Sequence, residues 1–310
     1  MDLKCNKKYD ENGRDYAYPI VRARTPSKLG LSVGFEWEIP LDMPDPLPYG
    51  LASPYSLLTR KAWPLNRYNW EAQGYDCHAD SGGMELGSPI FENLVTARSH
   101  ARAVIKVVDE ENQGYLKPRC QGQNSFPTQV HRNGWQRMET FKADTGIHVH
   151  VGALNLTEKE WQWLEIITWA MLNRKGMSAF IWKLSMRKSS FYANQAKATN
   201  WDATKQQRVP KSTRMVSLNR PAGSLTLEFR FFAGDARVLV PALDFSHSVV
   251  KFILTTKEKD VGNVMVDKHS RAPSIAATAV PKAEEYFLWL KKQKGYQALK
   301  SFLNERNINY

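Results

Sequence analysis

The sequence predicts an α+β fold, and three observations predict it. Three well-separated segments alternate apolar and polar residues with the period of two that a half-buried strand requires. Other segments repeat their apolar residues at helical spacing. The two kinds are interleaved without regular strand–helix–strand units, which sets the chain apart from the doubly wound α/β class.

Residues 1–30 are polar and irregular. Residues 31–39 form the first strand, with Leu31, Val33, Phe35, Trp37 and Ile39 on one face and Gly34, Glu36 and Glu38 on the other. Residues 41–75, rich in Pro, Tyr, Trp and Asn, read as a long loop excursion. Residues 76–89 read as a turn and then a short strand; they carry Asp80 and Glu85, and a loop His78 that reads as structural. A helix follows Pro89, running through Leu94, Ala101 and Ile105 to about Val108. Residues 114–143, polar and punctuated by Gly122, Pro127 and Gly134, read as a second insertion.

A strand over 146–153 sets Ile147, Val149 and Val151 against His148 and His150. Thr157-Glu158-Lys159-Glu160 is a capping box: the threonine oxygen accepts from the third helical N–H, and Glu160 reaches back. Trp161, Leu164, Ile167 and Met171 then predict one long helix to about Ala179. Residues 183–214 hold eight basic side chains and one acidic one. A strand pair follows over 215–219 and 224–232, around Arg220-Pro221-Ala222-Gly223. Its second member sets Leu225, Leu227, Phe229 and Phe231 against Thr226, Glu228 and Arg230. Residues 240–256 and 283–304 read as helical.

A chain of 310 residues with 42% hydrophobic and 24% charged content can bury a sizeable core and has no signature of disorder. We expect one domain over 1–310, with its core at about 31–240, insertions at 41–75 and 114–143, and a helical segment over 240–310. No apolar run is expected to reach the length of a membrane span, and the first residues lack an apolar signal core. Cys5, Cys77 and Cys120 are odd in number and widely spaced, which suits free thiols. A cytoplasmic protein without a membrane partner is the expectation. The net charge of +12 suits an anionic partner and serves solubility equally well.

The three strands share one rule. Each has an apolar face that needs helices to cover it, and the opposite face would collect Glu36, Glu38, His148, His150, Glu228 and Arg230. Glutamates two apart on a strand sit about 6–7 Å apart and repel. A divalent cation resolves that conflict, and a carboxylate-rich set favours Mg²⁺ or Mn²⁺ over Zn²⁺. There is no GxxxxGK[ST] and no GxGxxG after a strand, so neither a P-loop nor a dinucleotide site is indicated.

The ordered set Gly34-Phe35-Glu36-Trp37-Glu38, Asp80-Ser81 with Glu85-Leu86-Gly87-Ser88-Pro89, Gly146-Ile147-His148-Val149-His150, Asn219-Arg220 and Leu227-Glu228-Phe229-Arg230 resembles the amidoligase family. It is similar in the same way to glutamine synthetase and glutamate–cysteine ligase, over roughly residues 31–240. The resemblance implies a curved, mostly antiparallel sheet binding ATP and Mg²⁺ (or Mn²⁺) on its concave face. It implies Glu36, Glu38, Glu85, His148, Glu228 and Asp80 as metal ligands. It further implies His150, Arg230, Arg220 and Asn219 as nucleotide contacts, with Glu36, Glu228, Arg230 and Arg220 acting in catalysis. The implied activity is ATP-dependent joining of a carboxylate to an amine through an acyl phosphate, the substrates being a small molecule, a peptide or a modified nucleic acid. Two alternatives stand beside it: a guanidino kinase on the same fold, and a basic nucleic-acid-binding protein.

Overall fold

The computed structural model describes residues 29–40, 75–80, 83–111, 146–186, 215–219, 225–255 and 280–310. Residues 41–74 and 114–143 of the predicted insertions, 187–214 of the basic stretch 183–214, and Arg220 lie outside the described residues. The strands are β1 (Leu31–Pro40), β2 (Asp76–Asp80), β3 (Gly83–Gly87), β4 (Gly146–Ala153), β5 (Val216–Asn219) and β6 (Thr226–Ala233). The helices are α1 (Leu94–Glu111), α2 (Glu158–Leu172), α3 (Met177–Ser185), α4 (Ala236–Thr255), α5 (Ala283–Lys291) and α6 (Gln297–Glu305).

The strands form one six-stranded sheet in the order β2-β3-β1-β4-β6-β5. Every neighbouring pair is antiparallel. The alternation read in the sequence is realised: Val33, Phe35, Trp37, Ile147, Val149, Val151, Leu227 and Phe229 are all buried. Helix α4 packs against β1, β4 and β6 and is flanked by α1, α2, α3, α5 and α6. Its side chains are buried around nearly the whole circumference, as expected of a central core helix. By length and composition this 20-residue helix reaches what a membrane span needs, contrary to the sequence expectation, but 83% of its apolar window is buried inside the protein. Trp37, fully buried beneath the sheet, donates its indole N–H to the carbonyl of Gly234 at 3.0 Å, where β6 hands over to α4.

Several boundaries and one register differ from the sequence reading; the helix read from 240 begins at Ala236. The segment 76–80, read as a turn, is the edge strand β2, because its backbone pairs with β3 from Asp76↔Gly87 to Asp80↔Gly83. The capping box forms, with Glu160 N–H donating to Thr157 Oγ1 at 3.3 Å and Thr157 N–H to Glu160 Oε2 at 2.8 Å. Its helix stops at Leu172 rather than near Ala179, because Gly176 adopts φ +90°, which only glycine takes cheaply, and α3 starts afresh. The predicted 283–304 helix is two helices. Lys292 and Gln293 close α5 on Trp289 and Leu290, and Gly295 sits in the turn. In β6, an extra residue between the pairs Ile147↔Phe232 and Val149↔Phe229 makes a β-bulge. The bulge turns Phe232 inward beside Phe231, where strict alternation would set the two on opposite faces.

Among the described residues, strand β5 is an edge of the sheet. Its outward Leu218 N–H is taken by Glu165 of α2, whose buried carboxylate accepts at 3.2 Å. On the helix side, a buried ion pair ties three elements together. Arg98 of α1 donates through Nε to Asp244 Oδ1 at 2.6 Å, and through Nη2 to the same oxygen and to the Gly295 carbonyl. Asp244 also accepts from Leu299 N–H at 2.9 Å, at the start of α6.

Two buried groups on α4 give opposite pH signs. Burial outweighs the Arg98 pairing and pushes the Asp244 carboxyl up to about 6. Burial, with Lys251 and Arg98 beside it, pushes His247 down to about 4. Folding therefore favours protonated Asp244, so its contribution falls as pH rises from 3.8 to about 6. Folding favours neutral His247, so its contribution is lost as pH falls from 6.5 to about 4. Each amounts to roughly 3 kcal/mol, and over pH 4–6 they offset one another. His247→Gln leaves Asp244 unopposed. Urea midpoints should then rise from pH 7 to pH 5 in the variant by more than in the wild type. Asp244→Ala strands the Arg98 guanidinium and should destabilise the fold by about 3–5 kcal/mol in the same assay.

Candidate functional site

The solvent-side face of the sheet is organised by register. Glu36 stands opposite His148, and Gly34 opposite His150. His150 stands opposite Glu228, and Glu228 opposite Ser217. Glu38 stands opposite Glu85. Directly opposed residues place their Cβ atoms about 4.5–5.5 Å apart, so this register alone forces three carboxylates and two imidazoles together across β1, β4 and β6. Gly34, with no side chain of its own, leaves the place beside His150 free of a Cβ.

His148 is the hub. Its Nδ1 lies 3.0 Å from Glu36 Oε2 and 3.7 Å from Glu228 Oε1, and its Nε2 lies 3.6 Å from Glu38 Oε1. Glu36 uses its other oxygen toward the second imidazole, 3.1 Å from His150 Nε2. That contact pairs the buried imidazole with the Glu36 carboxylate. On its other side, His150 Nδ1 meets Thr226 Oγ1 at 3.1 Å. Glu38 accepts from the Gly146 N–H through Oε2.

Glu228 is completely buried, at 0% exposure. Ser217 Oγ donates to its Oε2 at 3.3 Å, and Arg230 Nη1 donates to its Oε1. Arg230 Nε is buried without a partner. Burial acts to raise the Glu36 carboxyl, but His148 and His150 outweigh it and hold Glu36 well below the usual carboxylate range. For His150, burial acts downward, and Glu36 with Glu228 carries it above the usual imidazole value despite Arg230.

The donor set fits a divalent cation. Glu36, His148 and Glu228 each offer one ligand atom, and these atoms lie within 4.8 Å of one another. Two carboxylates and one imidazole with room for water suit Mg²⁺ or Mn²⁺. Of the other residues expected from the sequence, Glu38 and Glu85 form the adjacent row of the same face. Asp80 ends β2 opposite Gly83, its side chain lying outside the described set. Asn219, half-buried, ends β5 opposite Thr226, and Arg220 is outside the described residues. The sequence reading assigned no role to Ser217 or to the Thr226 hydroxyl. Thr226 carried a signal, since it occupies the polar parity of its strand, whereas Ser217 is identified only by the pairing of β5 with β6.

No known family profile matches the chain, and no curated protein matches it by sequence. Among solved structures, it is similar to a chain of the complex between the prokaryotic ubiquitin-like protein Pup and its ligase PafA. The TM-score is 0.45 and the identity 12%, over 91% of this chain and 64% of that one, so this chain spans less than two thirds of the other's length.

Without metal, Glu36 and His150 form a pair that is complete only when the carboxyl is ionised and the imidazole protonated. Its depressed carboxyl gives stability that is lost as pH falls below about 4.5, and its raised imidazole gives stability that is lost as pH climbs beyond about 6.5. In EDTA, thermal midpoints of the wild type relative to His150→Gln should show their largest advantage between those values, and a flat difference would contradict the pairing.

Proposed function

We propose that this face holds a divalent cation on Glu36, His148 and Glu228, with the phosphates of ATP beside it, and that the chain is an ATP-dependent carboxylate–amine ligase. The observation that carries the reading is the convergence of those three side chains from three different strands, with Glu38 and Glu85 in the next row. A buried N–H without a hydrogen-bond partner, Arg230 Nε, supports an anion in the same place. The order of motifs shared with the amidoligase family supports the choice of reaction.

In this reading Glu36, His148 and Glu228 would hold the cation, and it would supply charge neutralisation at the phosphates. The remaining work falls to the chain. Glu36 is held ionised by its two histidines, and Glu228 would offer its Oε1 as a ligand. Arg230 and His150 would orient the phosphate oxygens as hydrogen-bond donors. The carboxylate oxygen forms a bond to phosphorus as ADP leaves; the amine nitrogen then displaces phosphate from the acyl carbon and loses its proton. Glu38 and Glu85 would bind further positive charge in the adjoining row, Asn219 would meet the nucleotide from the β5 end, and Arg220 is the further nucleotide contact that the resemblance implies.

Glu36→Ala and Glu228→Ala should each lower ADP release with carboxylate and amine substrates by about a hundredfold or more while leaving the circular dichroism spectrum unchanged. Full activity in a folded variant would sink the assignment. The mass of the product separates this reaction from phosphoryl transfer to a guanidino group: a ligase product carries no phosphate, and a kinase product retains it.

A further inference from the structure

We propose that Arg230 is the built-in counter-cation of the empty metal site, competing with the divalent cation for Glu228 Oε1 and freed to grip an anion only once the cation has displaced it. The inference rests on the metal reading of this face and goes beyond it, since it assigns an order to the two binding events.

The geometry is specific. Glu228 is fully buried, and a buried carboxylate without a counter-charge is strongly disfavoured. Its Oε2 is engaged by Ser217. Its Oε1 is the atom that faces His148 Nδ1 at 3.7 Å, and thus the atom the carboxylate would give to a cation shared with His148 and Glu36. That same atom accepts from Arg230 Nη1. A cation on Oε1 would stand against the guanidinium as a like charge, so the two cannot share the oxygen at low cost. Arg230 meanwhile keeps Nε buried and unpartnered, an arrangement that leaves one donor unused in the paired state. Glu228 and Arg230 are two apart on one strand face, so a change of side-chain torsion suffices to separate them, with no movement of the sheet. Arg230 shares the face of Glu228 by strand alternation, and the β-bulge beside it turns Phe232 inward with Phe231.

The consequence is linkage. Without metal, the guanidinium is spent on Glu228 and the anion lacks its strongest donor. With metal bound, Glu228 is satisfied and the guanidinium becomes available beside a second positive charge. Cation and anion then bind with positive coupling, in that order.

The test uses the full chain without nucleotide. Mn²⁺ affinity is measured by calorimetry in the wild type, Arg230→Met, Arg230→Lys and Glu36→Gln, each checked for fold by circular dichroism. In parallel, Mg²⁺ is titrated into ¹⁵N-arginine-labelled protein, with the Arg230 Nε–H signal identified by its loss in Arg230→Lys. Arg230→Met should bind Mn²⁺ on the order of tenfold more tightly than wild type, because the incompetent paired state is removed. Arg230→Lys, which keeps the charge without the guanidinium fork, should gain less. The Arg230 Nε–H signal should move as Mg²⁺ binds. Metal binding that is lost in Glu36→Gln but unchanged or weakened in Arg230→Met overturns the inference and leaves the metal site standing. An Arg230 signal that stays in place while Mg²⁺ binds overturns it too. No Mn²⁺ binding by folded wild type overturns the metal reading and this inference with it.

Discussion

A carboxylate buried at the centre of a sheet sets the terms for the rest of this molecule. Glu228 has no exposure, yet it faces a histidine, an arginine and a serine rather than apolar side chains. Its burial is tolerable only because the register of three antiparallel strands delivers those partners. The same register brings Glu36 and His148 into line with it. What the apolar side contributes is rigidity: Trp37, Phe35, Ile147, Val149 and Phe229 lock β1, β4 and β6 onto α4, so the polar face opposite cannot relax by sliding. A slip of one residue would exchange the two faces and bury every charge in the helix layer.

The arrangement is electrostatically conditional. Glu36 is held ionised by two imidazoles, and one of those imidazoles is held toward its charged form by Glu36. Glu38 sits next to this pair and Glu85 faces Glu38. Three carboxylates and two imidazoles thus converge on one face, a donor set that suits a divalent cation, even though the chain as a whole is basic. The surplus of lysine and arginine thus says little about the site itself.

Local patterns were legible in the sequence, and pairing-dependent ones were not. The faces of β1, β4 and β6 and the Thr157–Glu160 cap depend on neighbours within a few residues, and all four formed as read. Glu36, His148 and Glu228 could be grouped because each fell on the polar parity of its strand. The bulge after Arg230 could not be foreseen from parity, since it exists only relative to β4; its one trace was the doublet Phe231-Phe232. β2 was missed because its residues alternate weakly and are extended by their partner. The break at Gly176 was visible as a glycine, but its weight came from a backbone angle that no spacing encodes. Ser217 acquires meaning only when β5 lies beside β6.

The Glu165 carboxylate on the Leu218 N–H has an implication for how the molecule behaves in a crowd. An edge strand with free donors is a template on which another chain can add. Here a helix side chain occupies the donor at the middle of the short strand, and it comes from the helix whose own start is secured by the Thr157 cap. Solubility at this edge is therefore tied to a helix cap some sixty residues upstream in sequence. Among the described residues, loosening that cap would loosen the hold on the Leu218 donor and leave it open to another chain.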